Sequence, residues 1–322
     1  MEKYRHLNAE DRFQIEALKQ LGYSQMQMAL KIGCSQSAIS RELKRNTGKR
    51  GYRHKQAERF ASARKEVARR QSKFTAQLNY LIERYLKESW SPEQISGYMQ
   101  HAGEANISCK AIYQRIHEDK CVGGKLYEHL RCKGKNYKPR KASTDKRGQI
   151  KGRVSIANRP EVVANKERIG DWEADLIIGN GHSGAILTLV ERVTKQTLLR
   201  KLSGKTAEEV SNAIIEALRP YHLACLTITN DNGKEFAMHK RVSDELGTDV
   251  YFADPYNTNQ RALVENTNKL VREFLPKNKP FHDVTTAHVM EIERKLNHRP
   301  RKYLGFKKPS DLFHAYVSSL AA

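Results

Sequence analysis

No apolar run in this chain is long enough to cross a bilayer, and its opening, MEKYRHLNAEDR, lacks the apolar stretch of a secretory signal. Both absences point to the cytoplasm. Cysteine is scarce as well. Cys34, Cys109, Cys121, Cys132 and Cys225 are scattered, with no CxxC pair, which argues against a disulfide framework. There is no phosphate-cradling P-loop, no dinucleotide-binding glycine fingerprint, no Ser-His-Asp arrangement, no repeat at solenoid spacing and no low-complexity tract. The front half is short of acid. Residues 1–170 hold 37 Lys and Arg against 17 Asp and Glu, a net of +20, whereas residues 171–322 hold 21 against 19, a net of +2. A polyanion-seeking front joined to a nearly neutral rear fits a nucleic-acid binder with a separate catalytic domain. With 322 residues, 39% of them hydrophobic, the chain is long enough for two or three cores.

Residues 8–46 read as three short helices. The first, Asn8–Leu21, carries apolar Phe13, Ile15, Leu18 and Leu21 and stops at Gly22. Ser24, with Gln27 three residues on, opens the second as a capping box, and Met28, Ala29 and Ile32 share one face. Gly33-Cys34 makes a turn, and Ser35 caps a third helix holding Ile39 and Leu43. Small Ala29, turn-forming Gly33 and core-plugging Ile39 have the spacing of a helix-turn-helix. The outward face of the third helix then offers Gln36, Ser37, Ser40, Arg41, Lys44 and Arg45 to base edges and phosphates.

Residues 51–118 continue with a basic helical stretch, AERFASARKEVARR, and a second candidate helix-turn-helix. In the latter, Ser91-Pro92-Glu93-Gln94 is a compact helix start, Gly103 a break and Ser108 a second cap. Lys110, Gln114 and Arg115 are its expected DNA contacts. Residues 119–165, including RCKGKNYKPRKASTDKRGQIKGR, read as a basic linker able to lie on DNA.

The pattern changes near residue 166. The strand DWEADLIIG is followed by a hairpin, GAILTLVERV and QTLLRKLS, then by the amphipathic helix AEEVSNAIIEAL and the strand ACLTITND. A short helix near Lys234–Leu246, the strand DVYFADP and helices around Leu263–Phe274 and Thr285–Asn297 complete the order. Three antiparallel strands and then alternating helix and strand predict a ribonuclease H-like α/β domain over 166–322, with a mixed five-stranded sheet.

That order brings three acids toward one another: Asp175 in the first strand, Asp231 at the end of the fourth before an Asn-Gly turn, and Glu265 on a late helix. Converging carboxylates repel unless a cation neutralises them, and hard oxygen ligands suit Mg²⁺, with Mn²⁺ able to substitute. Two such ions about 3.5–4 Å apart would serve an in-line displacement at a phosphodiester. Asp171 and Glu173 share the strand face of Asp175 and read as supporting groups or strand-end surface. Glu235 and Asp254 read as cap or turn residues, and Trp172 as core. On the late helix Lys269 and Arg272 follow Glu265 along one face and are expected DNA contacts.

With these segments in view, the sequence resembles the DDE transposases of the bacterial insertion-sequence family numbered thirty, relatives in fold of retroviral integrases. The resemblance runs through HLNAEDRFQIEAL, SQSAISRELKRN, WSPEQISGYM, GDWEADLIIG, TNDNGKEF, VYFADPYN and LNHRPRKYLGFKKPSDLF, and 33 residues separate Asp231 from Glu265 as in that family. It implies metal-dependent DNA cleavage and strand transfer, with Asp175, Asp231 and Glu265 as catalytic metal ligands. It also implies terminal inverted repeats and target DNA as partners, and dimers or larger assemblies on paired ends. Around Glu265 the chain departs from the family. Asn259 stands near the usual Trp, Ala262 at a Gly, Leu263-Val264 at a Thr-Asn pair and Lys269 near a Gly. Two other functions compete: a DNA-binding regulator with a retired catalytic fold, and a stand-alone ribonuclease H-like nuclease. His117, Cys121, His129 and Cys132 raise a zinc site, although their spacing matches no familiar finger.

Overall fold

Local caps set the front helices. Asn8 and Asp11 cap each other reciprocally at the start of α1 (Ala9–Gln20), Ser24 and Gln27 do the same for α2 (Gln25–Ile32), and Ser35 caps α3 (Gln36–Asn46). The structure is a computed structural model that describes residues 6–70, 74–131, 150, 152–254 and 258–321. Most of the basic linker, Cys132 included, lies outside them. The chain divides into two compact units, Met1–Ala76 and Gln77–Ala322.

In the first unit Gly33 takes a left-handed φ of 72° to turn α2 into α3, a conformation glycine adopts without steric cost. Ile15, Met28, Ala29, Ile32 and Ile39 form the core, joined by Tyr52 and by Ala57 of α4 (His54–Arg70). Phe13 and Leu21, grouped with Ile15 and Leu18 in the sequence pattern, are instead exposed. The helix buries the stripe centred on Ile15. A buried polar network ties these helices together: Arg12 donates to Glu42 on α3 (2.9 Å) and to Glu58 on α4 (2.7 Å), and the Tyr52 hydroxyl donates to Glu42 (3.1 Å).

The second unit opens with α5 (Ala76–Lys87), α6 (Pro92–His101) and α7 (Cys109–Cys121). Ser91 and Gln94 form the expected capping box, and Ser108 caps α7. Ile95, Met99 and Ile112 are fully buried, while Tyr113 is exposed rather than in the helix core. This group docks on the chain's C-terminal segment. A Cβ on Gly97 would collide with the Phe306 ring, so only glycine admits that contact, and Lys308 sits 5.0 Å over the ring of Tyr98.

Among the described residues six strands form one sheet, where five were expected. Its order is β1 (Val154–Ser155), β6 (Asp249–Phe252), β5 (Thr227–Asn230), β2 (Asp171–Ile178), β3 (Ala185–Glu191) and β4 (Thr197–Leu202). β2, β3 and β4 are antiparallel, whereas β5 runs parallel to β2, β6 to β5, and β1 to β6. β1 is the additional strand. Two residues are too few for period-2 alternation to register, and the strand lies within the stretch read as linker, as does α8 (Glu161–Asn165). On one face of the sheet, Trp172, Ala174, Leu187 and Leu189 pack with α9 (Ala207–Leu218), α10 (His239–Leu246) and Phe313 of α13 (Pro309–Leu320). On the other, Ile177, Ile186 and Leu199 pack with α11 (Ala262–Phe274) and α12 (Thr286–His298). Helices on both faces of a sheet that is antiparallel at one end and parallel at the other make the ribonuclease H-like fold. The face toward α11 is the one that carries Asp171, Glu173 and Asp175.

Candidate active site and nucleic-acid interface

Two neighbouring strands bring the aspartates together. The parallel register pairs Glu173 with Thr229, so two residues further along Asp175 comes level with Asp231. β5 ends there, because Asp231 turns its carboxylate back to accept the Gly233 N–H at 2.8 Å. Arg261, just before α11, lies between the two acids. Its guanidinium stands 3.4 Å from Asp175 Oδ1 and 3.6 Å from Asp231 Oδ2. Asn268 of α11 donates to Asp175 Oδ2 at 2.8 Å.

Glu265 lies half-buried in the first turn of α11, four residues after Arg261 and three before Asn268. It shares the helix face of Asn268 but is not gathered with the aspartates. Among the described residues no three His, Cys, Asp or Glu side chains form a ready metal-binding group.

The site's chemistry nevertheless fits a cation. Burial, reinforced by the charge of Asp231, raises the Asp175 carboxyl to about 6 against the partial relief that Arg261 provides. Two hard carboxylates already share one positive group. Beside them Thr188 Oγ1, on the β3 residue paired with Asp175, and Asn268 Oδ1 are buried without hydrogen-bond partners among the described residues. Buried polar atoms are rarely left so.

The raised Asp175 value predicts a stability effect. Protonated Asp175 contributes stability that is fully present below its ordinary pH 3.8 and is lost as the pH rises through about 6. Asp175→Asn removes that loss. Without divalent cation it is expected to stabilise the fold at neutral pH by on the order of 2 kcal/mol and to flatten the fall in stability between pH 4 and 6. Thermal melts of both proteins across pH 4–8 check this. A variant less stable than wild type at pH 7 would contradict it.

The neighbouring acids are not surface groups. Asp171 and Glu173 are each 1% exposed. Asp171 accepts from Arg168 and from the Thr227 hydroxyl (2.8 Å). Glu173 pairs with buried Arg192 and accepts the Val264 N–H of α11 at 3.0 Å. Arg261, at the helix N-cap, supplies no side-chain cap, so Glu173 anchors from the sheet the helix that carries Glu265. By its strand position Glu173 stood as a supporting group or strand-end surface, and the structure gives it the supporting role; the sequence assigned Arg261 no role. Asp254 braces its own loop by accepting from Gln260 at 2.8 Å.

The expected DNA contacts differ in availability. On α3, Gln36, Ser37, Arg41, Lys44 and Arg45 are exposed and Ser40 is half-buried. Lys110 and Gln114 of α7 are also exposed, but Arg115 is held by Asn79 at 3.2 Å. Lys269 is exposed, with its ammonium 2.9 Å from Asn266 Oδ1. Arg272 is half-buried and donates to the Ile178 carbonyl at 2.8 Å, over the Phe281 ring. In the zinc candidate, Cys121 Sγ stands 3.7 Å from His117 Nε2.

Comparison with known proteins bears on both regions. A family model described as a helix-turn-helix domain matches residues 3–46. The transposase for insertion sequence element IS4351 of Bacteroides fragilis is 42% identical over 98% of this chain and 97% of its own. The transposase for IS1086 of Cupriavidus metallidurans is 35% identical over 95% and 94%. Transposase InsI for IS30C of Escherichia coli is 31% identical over 97% and 84%. The chain belongs to the IS30 family of transposases. The catalytic core domain of BIV integrase aligns over 48% of this transposase and 100% of that chain, at 21% identity and a TM-score of 0.39. No helix among the transposase's described residues is long and apolar enough to cross a membrane.

Proposed function

We propose that this transposase binds the terminal inverted repeats of an insertion sequence through its front half, and cuts and joins DNA at Asp175, Asp231 and Glu265. The observation that carries the reading is the shared guanidinium of Arg261, a positive group bridging two carboxylates from adjacent strands. Asp175, Asp231 and Glu265 would hold Mg²⁺, or Mn²⁺ in its place, as two ions. Bound there, the cations supply activation of the attacking oxygen and stabilisation of the leaving one in phosphodiester displacement. The chain's own residues set the stage. Asn268 orients Asp175, the Gly233 amide orients Asp231, and Glu173 fixes the start of the helix that bears Glu265. Residues 1–50 read the repeats, the helices of 51–118 and the basic stretch that follows them support that reading, and the domain that β1 opens performs the chemistry. The enzyme acts in the cytoplasm on the nucleoid, as a dimer or larger assembly on paired ends.

The test is to incubate the full chain with Mg²⁺ and duplex DNA that flanks its gene, and to map the 3′ ends produced. Cuts at one defined position at each end, followed by joining to a second duplex, are expected. Cleavage spread along the duplex would favour a stand-alone nuclease instead.

A second expectation concerns base reading. Arg41 is exposed on α3 with its Nε held by the Ser37 carbonyl at 3.0 Å. Arg41→Ala is expected to weaken binding to the terminal repeat by about 1–3 kcal/mol while changing binding to scrambled DNA less. Gel-shift titrations of both duplexes check it, and equal losses on the two would show that Arg41 reads no base.

A further inference from the structure

Immediately after α3, beyond residues 3–46, the chain makes a tight turn. Gly48 and Gly51 exchange both backbone hydrogen bonds, at 3.1 and 3.0 Å, and Gly51 takes a φ of 92°. The turn and the first turns of α4 border a shallow cavity of ≈ 990 Å³, whose lining includes Lys49, Arg50, Arg53, Lys55 and Arg59. All five are exposed. None of their side chains forms an ion pair or hydrogen bond among the described residues. The acid in the lining, Glu16, is already committed to the His54 ring and amide.

Five cations without an ion-paired or hydrogen-bonded side-chain partner among the described residues lie within eleven residues and repel one another, and a bound polyanion relieves that repulsion. The turn is also held firmly. Tyr52 is buried and donates to Glu42 of α3, Glu42 accepts from Arg12, and Arg12 reaches Glu58 of α4. Arg64 of α4 donates to the Arg45 carbonyl at 3.4 Å and to the Asn46 side chain. The basic turn therefore keeps a set position relative to the helix that presents Arg41, Lys44 and Arg45.

We propose that this face is a second DNA-contact site, which takes phosphate oxygens of the strand bordering the groove that α3 enters. It rests on α3 being the DNA-reading helix. Exposed Lys and Arg heads on the turn and the start of α4 suit phosphates, whose contacts carry no sequence information and fix register instead.

The experiment compares full-length wild type, the double variant Arg50→Ala/Arg53→Ala, and the charge-keeping control Arg50→Lys/Arg53→Lys. Binding to a duplex of gene-flanking DNA and to a scrambled duplex is measured across a salt series, with circular dichroism to confirm folding. Each lost phosphate contact lowers the slope of log affinity against log salt by about 0.9. The alanine pair is therefore expected to lower it by about two. Affinity should fall by the same factor on both duplexes, leaving their ratio as in wild type, and the lysine pair should keep the wild-type slope. An unchanged slope in the folded alanine pair would overturn the proposal alone. So would a changed ratio, which would mean that the turn reads bases. A wild-type chain that bound neither duplex would overturn the DNA-reading role of α3 and this proposal with it.

Discussion

Asp231→Asn is expected to abolish both DNA cleavage and strand transfer while leaving DNA binding intact. The substitution preserves shape, and its amide oxygen can still accept the Gly233 N–H. What it removes is the negative charge facing Asp175 and Arg261 across the end of the sheet. Metal-borne stabilisation of a displacement is worth several kcal/mol, so the loss should be roughly a thousandfold or more. Cleavage and joining should fall together, because under the proposed function one site would serve both a water and a DNA 3′-hydroxyl. Binding should survive, because most of the net +20 of residues 1–170 lies ahead of this domain. Mn²⁺ should support the wild type, and Ca²⁺ should bind but support it poorly, since its looser coordination positions reacting oxygens less strictly. The assay is end cleavage and joining with mapped products, beside a gel shift of the same protein. Cleavage by Asp231→Asn at the wild-type rate would remove Asp231 from the site.

The second large effect concerns Glu173. This carboxylate is 1% exposed and serves two partners, the guanidinium of Arg192 and the Val264 amide at the start of α11. Arg192 is itself buried, and its Nε donates to the Val163 carbonyl at 3.1 Å. Glu173→Ala strands a buried positive charge and a helix-terminal N–H together, which is expected to cost about 3–5 kcal/mol of stability. Glu173→Gln keeps an acceptor for Val264 but loses the charge, so its cost should be smaller. Both variants should also need more Mg²⁺ for cleavage than wild type, because the helix carrying Glu265 and Asn268 loses its anchor in the sheet. Chemical denaturation and Mg²⁺ titration of end cleavage measure the two effects. An alanine variant as stable as wild type would show that the Arg192 pair contributes nothing.

Much of this protein was written locally. Residues 24–46 state their helix-turn-helix in caps, a left-handed glycine and helical spacing, all of which act within a few residues. The strands of the rear domain announce themselves by apolar runs, and AEEVSNAIIEAL matches α9 residue for residue. α13 was missed although Pro309 opens it and Phe313 and Val317 follow helical spacing. Only its contact with Trp172, at 5.5 Å between ring centroids, explains why the domain needs it. β1 was missed because two residues carry no period.

By itself, then, the sequence determined the helix-turn-helix, the succession of the five longer strands along the chain, the uneven charge and which acids are candidates for chemistry. It did so because caps, periodicity and composition are short-range or additive properties of the chain. Tertiary structure alone decided which charged groups are free and which are spent. Arg115 and Arg272 looked like DNA contacts in sequence but hold Asn79 and the Ile178 carbonyl. Glu173 stood in sequence between supporting group and strand-end surface until its bond to α11 decided it, and Arg261 showed no role until the fold set it between Asp175 and Asp231. A side chain's partner across a sheet or from a distant helix depends on packing distance and burial, and neither quantity is encoded in the spacing of residues along one segment.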